Sequence, residues 1–352
     1  MNQPFKELKI VELASVLAAP SVGMFFAELG AQVIKIENKL TNGDVTRSWK
    51  TPSEQKEINV SAYFSSINWG KKHLLLDFKD LNDIKTLKGE ISDCDIVLCN
   101  FKAGDAKKFG LEFEDIKTLN PTIIYADLKG FKNDTRVAYD VVLQAETGYM
   151  FMNGQPESEP TKMPIAFMDV LAGHQMKEGI LTALYQRAKT NQAIKVEITL
   201  EEAALSGLVN QASNWLMNEH LPKRMGSKHP NIAPYGETFK TKDGKYIVLA
   251  IGSEKQFINL LNILNLNYTD KFKSNQNRLK NRNDLEEFLK PAFLQFDRDE
   301  VLAKANELNI PIASIKNLQE VFETKTAQDL ILTENVDGIE TKRVKSVVFE
   351  LK

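Results

Sequence analysis

Cysteine is nearly absent from this chain: 352 residues include two, Cys94 and Cys99. Both lie in Ser92-Asp-Cys-Asp-Ile-Val-Leu-Cys-Asn100, which reads as a buried strand. Five residues apart on one strand they are expected on opposite faces, so neither a disulfide nor a metal pair is expected. The four histidines, His73, His174, His220 and His229, are far apart, with no Cys or carboxylate at ligand spacing, which argues against a structural zinc. No G-x-G-x-x-G and no G-x-x-x-x-G-K-[ST] occurs, so neither a nicotinamide nor a P-loop nucleotide reading gains support. No apolar run reaches the roughly 18 residues that a membrane span needs. Met1-Asn-Gln-Pro-Phe-Lys6 leads straight into a strand pattern without a secretory signal, so a cytoplasmic protein is expected. Charge of one sign is also lacking: a formal net charge of −2 argues against a general nucleic-acid binder, though a local basic patch stays open.

What is present is ordinary globular material. A hydrophobic share of 43% supports a proper core, and the length suits two domains or one large domain with an insertion. Leu8-Lys-Ile-Val-Glu-Leu13 reads as a strand, Pro20 to Leu29 as a helix ended by Gly30, and Gln32-Val-Ile-Lys-Ile-Glu37 as the next strand. This β-α-β order predicts an α/β fold with a doubly wound parallel sheet. Further strands are expected at His73–Asp77, Ile96–Cys99, Thr122–Ala126 and Ala193–Ile198, with helices over Leu81–Glu90, Val170–Arg187 and Glu201–Leu216. Around Pro222 to Pro234 the composition turns basic and irregular, as in a linker. Glu237 to Ala250 then reads as a hairpin around Asp243-Gly244. Helices over Lys255–Leu264, Arg282–Leu294 and Arg298–Leu308 complete a smaller α+β domain. The tail is expected to hold a helix and a short strand at Lys345–Phe349.

The segment Met163-Pro-Ile-Ala-Phe-Met-Asp-Val-Leu-Ala-Gly173 places Asp169 where an apolar stretch breaks and a long helical pattern begins. Free backbone N–H groups and the helix dipole favour an ionised acid there, and a fixed carboxylate can serve as a covalent nucleophile. An ordinary N-cap explains the same eleven residues.

The motif order resembles CoA-transferase family III, the CaiB/BaiF family, from about Leu8 to Lys352. Val11-Glu-Leu-Ala-Ser-Val-Leu-Ala-Ala-Pro20 with Leu29-Gly-Ala-Gln-Val-Ile-Lys-Ile-Glu37 is similar to that family's opening. Gly43-Asp-Val-Thr-Arg47 matches its G-D-x-x-R element, and Asn68-Trp-Gly-Lys-Lys72 resembles its N-x-[GN]-K-[RK] block. Asn100-Phe-Lys-Ala-Gly104, Ala138-Tyr-Asp-Val-Val-Leu-Gln-Ala145 and His229-Pro-Asn-Ile-Ala-Pro-Tyr235 are similar to three later blocks. Asp169-Val-Leu-Ala-Gly173 falls where that family carries its catalytic aspartate.

The resemblance implies a Rossmann-like large CoA-binding domain over 1–221, a linker over 222–236, a small α+β domain over 237–316, and a return to the large domain over 317–352. It also implies an interlocked homodimer, with an acyl-CoA and a carboxylic acid acceptor as substrates and no permanently bound cofactor, metal or nucleic acid. Asp169 is then the nucleophile, forming anhydride and aspartyl-CoA thioester intermediates. Expected substrate and CoA contacts are Leu17 and Ala18 in the first loop, Lys71 and Lys72 in the third block, Asn100, Phe101, Lys102 and Lys108 beyond the fourth strand, and Tyr139 and Asp140. Asn38 stands where many relatives have a basic residue. A single glycine in Ala250-Ile-Gly-Ser-Glu-Lys-Gln256 argues against the glycine-rich formyl-CoA and oxalate type. Two alternatives stay open. One is an α-methylacyl-CoA racemase, disfavoured because Tyr139 replaces that enzyme's histidine and a phenol is a poor base near pH 7. The other is a decayed CoA-binding protein.

Overall fold

The structure is a computed structural model and describes residues 3–352. The chain divides into two compact units. The first comprises the residues up to Tyr149, Lys162–Ser213 and Thr326–Lys352; the second comprises Met150–Thr161 and Asn214–Lys325.

The first unit is built on six parallel strands: β1 (Lys9–Leu13), β2 (Gln32–Asn38), β3 (Lys71–Leu76), β4 (Ile96–Cys99), β5 (Ile124–Lys129) and β6 (Ile194–Thr199). They lie in the order β3-β2-β1-β4-β5-β6, the doubly wound arrangement. Alternation along the strands feeds two apolar layers. Val11, Leu13, Val97, Cys99 and Tyr125 face one, with Leu87 and Ile91 of α3 (Leu81–Ser92) and Ile116. Ile10, Ile96, Leu98, Ile124, Ala126 and Leu128 face the other, covered by helix α1 (Ala18–Glu28). Between these helices comes α2 (Ala62–Ser65), and after β4 come α4 (Asp105–Phe109) and α5 (Phe113–Leu119). α6 (Asp140–Glu146) and α8 (Phe167–Thr190) follow, with α7 (Tyr149–Met152) between them where the chain passes into the second unit. α8 sends Met168, Ala172, Met176, Ile180 and Ala183 into the same layer as α1. It ends on Asn191 in the left-handed region, with Arg187 and Lys189 in its last turn, both favourable at a helix C-terminus.

Three expectations need correction. The region Glu201–Leu216 is two helices, α9 (Leu200–Ser206) and α10 (Val209–Asn218), because the chain breaks at Gly207-Leu208 and Val209 takes φ 46°. The tail strand is not at Lys345–Phe349: the tail carries a hairpin of β10 (Ile331–Val336) and β11 (Ile339–Val344), turned at Asp337-Gly338. Both turn residues have positive φ, the usual demand of such two-residue turns. The segment after it is anchored without strand pairing. Glu28 of α1 accepts hydrogen bonds from Arg343, from the Ser346 N–H and Oγ, and from the Val347 N–H at 2.8 Å. Finally, Cys94 precedes β4, and both cysteines sit buried and free in one apolar layer rather than on opposite faces.

The second unit carries an antiparallel sheet of β7 (Tyr235–Lys240), β8 (Tyr246–Ala250) and β9 (Ile312–Ser314). The Asp243-Gly244 turn stands where the sequence put it, with Gly244 at φ 79°. α11 (Glu254–Ile263), α12 (Asn275–Lys280), α13 (Arg282–Phe293) and α14 (Arg298–Glu307) follow, then the short α15 (Leu318–Phe322); α16 (Lys325–Gln328) begins where the chain passes back into the first unit. Phe257, Leu260, Leu285, Leu289 and Phe293 form this unit's own core. Among the described residues no helix is long and apolar enough to cross a membrane, and no cluster of His, Cys, Asp and Glu is arranged to hold a metal.

Candidate active site

In a doubly wound sheet the strand order reverses at one point, and the crevice there, outside the carboxyl ends of the strands, is the natural ligand position. Here that point lies between β1 and β4. The loop leaving β1 runs through Ser15, Val16 and Leu17 into α1, and the segment leaving β4 begins at Asn100. Asn100 ties the two together: its Oδ1 accepts the Ser15 N–H at 3.1 Å and its Nδ2 donates to the Ser15 carbonyl at 2.9 Å. Five of the expected site residues, Leu17, Ala18, Asn100, Phe101 and Lys102, are thereby gathered at one edge of the sheet.

α8 reaches the same edge. A Cβ on Gly173 would stand 2.7 Å from Ser21 Oγ and 3.2 Å from the Ala18 carbonyl, so the absence of a side chain lets α8 lie against the start of α1. Asp169 is one turn earlier on the same helix, hence on the same face. The helix begins at Phe167, three residues before the expected Val170, which puts Asp169 inside the first turn and not at the cap. The cap Ala166 offers no side-chain acceptor; Asp140 supplies one from another helix, its Oδ1 accepting the Met168 N–H at 2.7 Å. Gln144, fully buried, donates to Asp140 Oδ2 at 2.5 Å and accepts the Met163 N–H at 2.7 Å. Phe167 and Val170 donate to the carbonyls of Ile165 and Ala166. Among the described residues, none accepts the Asp169 N–H. The general supply of helix-start amides expected at Asp169 is therefore reduced to that one.

Asp169 is 7% exposed. Burial, and then the Asp140 carboxylate, push its acid up to about 7. The free dipole end that was expected to keep it ionised is outweighed. Tyr63 of α2 feels the same charges: burial, then Asp169, Asp140 and Asp44, raise its phenol to about 12. Its ring meets Trp49 edge-on at 5.1 Å. Tyr63, Trp49 and Gln144 were not among the residues expected at the site. Gln144 was visible within the Ala138-Tyr-Asp-Val-Val-Leu-Gln-Ala145 block; nothing in the sequence tied Tyr63 or Trp49 to Asp169.

The basic residues divide sharply. Lys72, Lys102 and Lys108 are exposed, the last over the Phe109 ring at 5.4 Å, and are free to meet a phosphate. Lys71 is not. Its ammonium is enclosed and donates to Glu12 Oε1 at 2.9 Å, the Pro20 carbonyl at 2.8 Å and Asn68 Oδ1 at 2.9 Å. Its expected role as a CoA contact is corrected on that ground. Asn38 is exposed and caps a short 3-10 turn, its Oδ1 accepting the Leu40 N–H at 2.9 Å. Tyr139 is 52% exposed and precedes Asp140 at the start of α6. A separate open hollow of about 670 Å³ is lined by Arg47, Lys50, Lys56 and Asn59 among others, and by none of the expected site residues. Its Lys50 ammonium is spent on the carbonyls of Gln55, Lys56 and Ile58.

The comparisons with known proteins agree with this fold. A solved CaiB/BaiF family protein from Brucella suis superposes with a TM-score of 0.85 at 32% identity, over 99% of this chain and 93% of that one. The succinate–glutarate CoA-transferase of Agrobacterium fabrum is 30% identical over 329 residues, 91% of this chain and 82% of its own. Human succinyl-CoA:glutarate CoA-transferase is 32% identical over 327 residues, 91% of this chain and 73% of its own. The family model described as CoA-transferase family III matches residues 5–352, and with the doubly wound sheet and the aspartate at its switch point this chain belongs to that family.

Proposed function

We propose that the protein moves coenzyme A from an acyl-CoA thioester to a carboxylic acid, with Asp169 as the covalent carrier. The observation that carries the reading is a buried carboxylate with no cationic partner among the described residues, at the first turn of a helix and beside the switch-point loop. A structural acid so placed would be paired; an unpaired one is costly and suits a nucleophile shielded from water. An Asp169 oxygen attacks the thioester carbonyl, the carbon–sulfur bond breaks, and the CoA thiolate leaves a mixed anhydride. The thiolate then attacks the aspartyl carbonyl of that anhydride, releasing the donor acid and forming an aspartyl-CoA thioester. The acceptor carboxylate attacks this thioester, expelling the thiolate once more. The thiolate finally takes the acceptor acyl group and returns Asp169 as its carboxylate. No proton is gained or lost overall, so no general acid is required.

The relatives named above point to short dicarboxylic acids as donor and acceptor, with succinyl-CoA and glutarate the first pair to try. Lys72, Lys102 and Lys108 are the exposed cations for the phosphates of CoA. A homodimer fits the same reading: α10 has no buried residue, and Leu216 and Met217 are 79% and 80% exposed, apolar side chains that a second copy would cover. The test is a covalent trap. With succinyl-CoA present and a hydroxylamine quench, the peptide containing Asp169 is expected to carry a hydroxamate, absent without the thioester. An unmodified Asp169 across a broad pool of acyl-CoA esters would overturn the mechanism.

A further inference from the structure

The loop between β1 and α1 is held at both ends by buried ammonium groups. Lys35 donates to the Ala14 carbonyl at 2.6 Å, where the loop begins, and Lys71 to the Pro20 carbonyl at 2.8 Å, in the first turn of α1. Between them Asn100 grips both backbone groups of Ser15, and Ser21 Oγ closes onto the Ala18 carbonyl at 2.7 Å. Within this span Val16 takes φ 74°, a left-handed conformation that β-branched residues avoid because Cβ crowds the backbone. Such a backbone persists only where its surroundings over-determine it.

The ammonium groups are themselves fixed by the sheet. Glu12 of β1 and Lys35 of β2 are register partners, and Glu12 is bridged at 2.9 Å by Lys35 and at 2.8 Å by Lys71. Asp44 takes a further contact from Lys35 at 3.0 Å. All four side chains are essentially inaccessible to water. Gly23 makes room for the set, since a Cβ there would fall 2.0 Å from Glu12 Oε2. Buried ion groups rarely stabilise a fold more than apolar packing of the same volume would. What this set adds is direction: each lysine points one donor at a loop carbonyl.

We propose that Lys35 and Lys71 are positioning residues that, with Asn100, hold the β1–α1 loop in its strained shape as the wall against which the thioester is presented to Asp169. The inference rests on the transfer reaction proposed above. The loop's Ala18 carbonyl packs on Gly173, so its shape sets the wall one helical turn from the nucleophile.

Two variants test it. Glu12→Gln combined with Lys71→Met removes one charge of each sign and the grip on Pro20. Asn100→Ala removes the grip on Ser15 from outside the ion set, so it decides the matter if the double variant does not fold. Hydrogen exchange is followed over Ser15–Ser21 in the absence of substrate, and succinyl-CoA:glutarate transfer is normalised to the folded fraction of each variant. Exchange across the loop is expected to quicken about tenfold or more. Transfer per folded protein should fall about tenfold in kcat, and the KM for succinyl-CoA should rise while the KM for glutarate stays within about twofold. Unchanged exchange in a folded variant overturns the proposal. So does a loss of rate fully explained by a smaller folded fraction, which is what a merely structural role would give. If the wild type traps no acyl group, the transfer reaction fails instead, and the exchange result still decides whether the clamp exists.

Discussion

Glu12 and Asp169 are both buried carboxylates in the first unit, 0% and 7% exposed, yet their surroundings are opposite. Glu12 meets two ammonium groups within 3 Å. Among the described residues Asp169 meets no cation, and the charged neighbour that shifts it is another acid, Asp140. Burial therefore does not tell a structural acid from a reactive one. The partner does: a paired carboxylate is locked and inert, whereas an unpaired one keeps its lone pairs for chemistry at a cost in stability.

The comparison breaks most completely at Asp169 itself. Asp169→Asn keeps the shape and removes the nucleophile; transfer is expected to fall by about 10³-fold or more, with the hydroxamate lost and the melting transition retained. Residual transfer near the wild-type rate would make Asp169 a second structural acid. The matching break on the other side is Lys35→Met. It leaves Glu12 and Asp44 short of a cation in a dry site, and urea unfolding should show a loss of about 3–5 kcal/mol. A change within about 0.5 kcal/mol would mean that the ion set is not what holds β1, β2 and the Asp44 turn together.

These two regions were not equally legible in the sequence. The sheet was, because the strands around Val11, Val33, Val97 and Ile124 are short apolar runs separated by helical periods, and that pattern admits few topologies. Asp169 was singled out from its position at a helix start and from motif order. Its raised pKa was not foreseen, because that depends on burial by the packed fold and then on Asp140 arriving from a helix more than twenty residues away. The buried quartet escaped for a similar reason. Lys71 follows Gly70 and precedes Lys72, and alternation on an edge strand cannot say which of the two lysines turns inward; pairing with Glu12 across β2 decides it. The tail hairpin, in contrast, had its signal in Val336-Asp-Gly-Ile339 and was passed over for the more apolar Val347–Phe349.

A smaller effect sharpens the contrast through pH. The fold raises the Asp169 acid from 3.8 to about 7, so the native state holds this proton more tightly than the unfolded chain does. Its contribution to stability is fully present below about pH 4 and is lost as pH rises through about 7. At about 1.4 kcal/mol per pH unit, the loss is at most about 4 kcal/mol. Asp169→Asn does not share it, so the variant should gain on the wild type between pH 5 and pH 8 in paired thermal melts. Parallel curves would mean that Asp169 has a cation partner in solution.

The smallest expected effect isolates Asp140. Its carboxylate does two things: one oxygen caps the Met168 N–H, and its charge opposes ionisation of Asp169. Asp140→Asn retains an oxygen for the cap and deletes the charge. The acid limb of transfer rate against pH, set in the free enzyme by ionisation of Asp169, should then move to lower pH. Burial is the larger cause and is untouched, so the displacement should be less than about one pH unit. The direction distinguishes the two roles. If Asp140 acted only as a cap, its loss would loosen the start of α8, lower the rate at all pH values and leave the limb in place. A limb that shifts downward with the plateau largely kept is the signature of one acid tuning another, and it is a signature that Glu12, between its two lysines, has no means to produce.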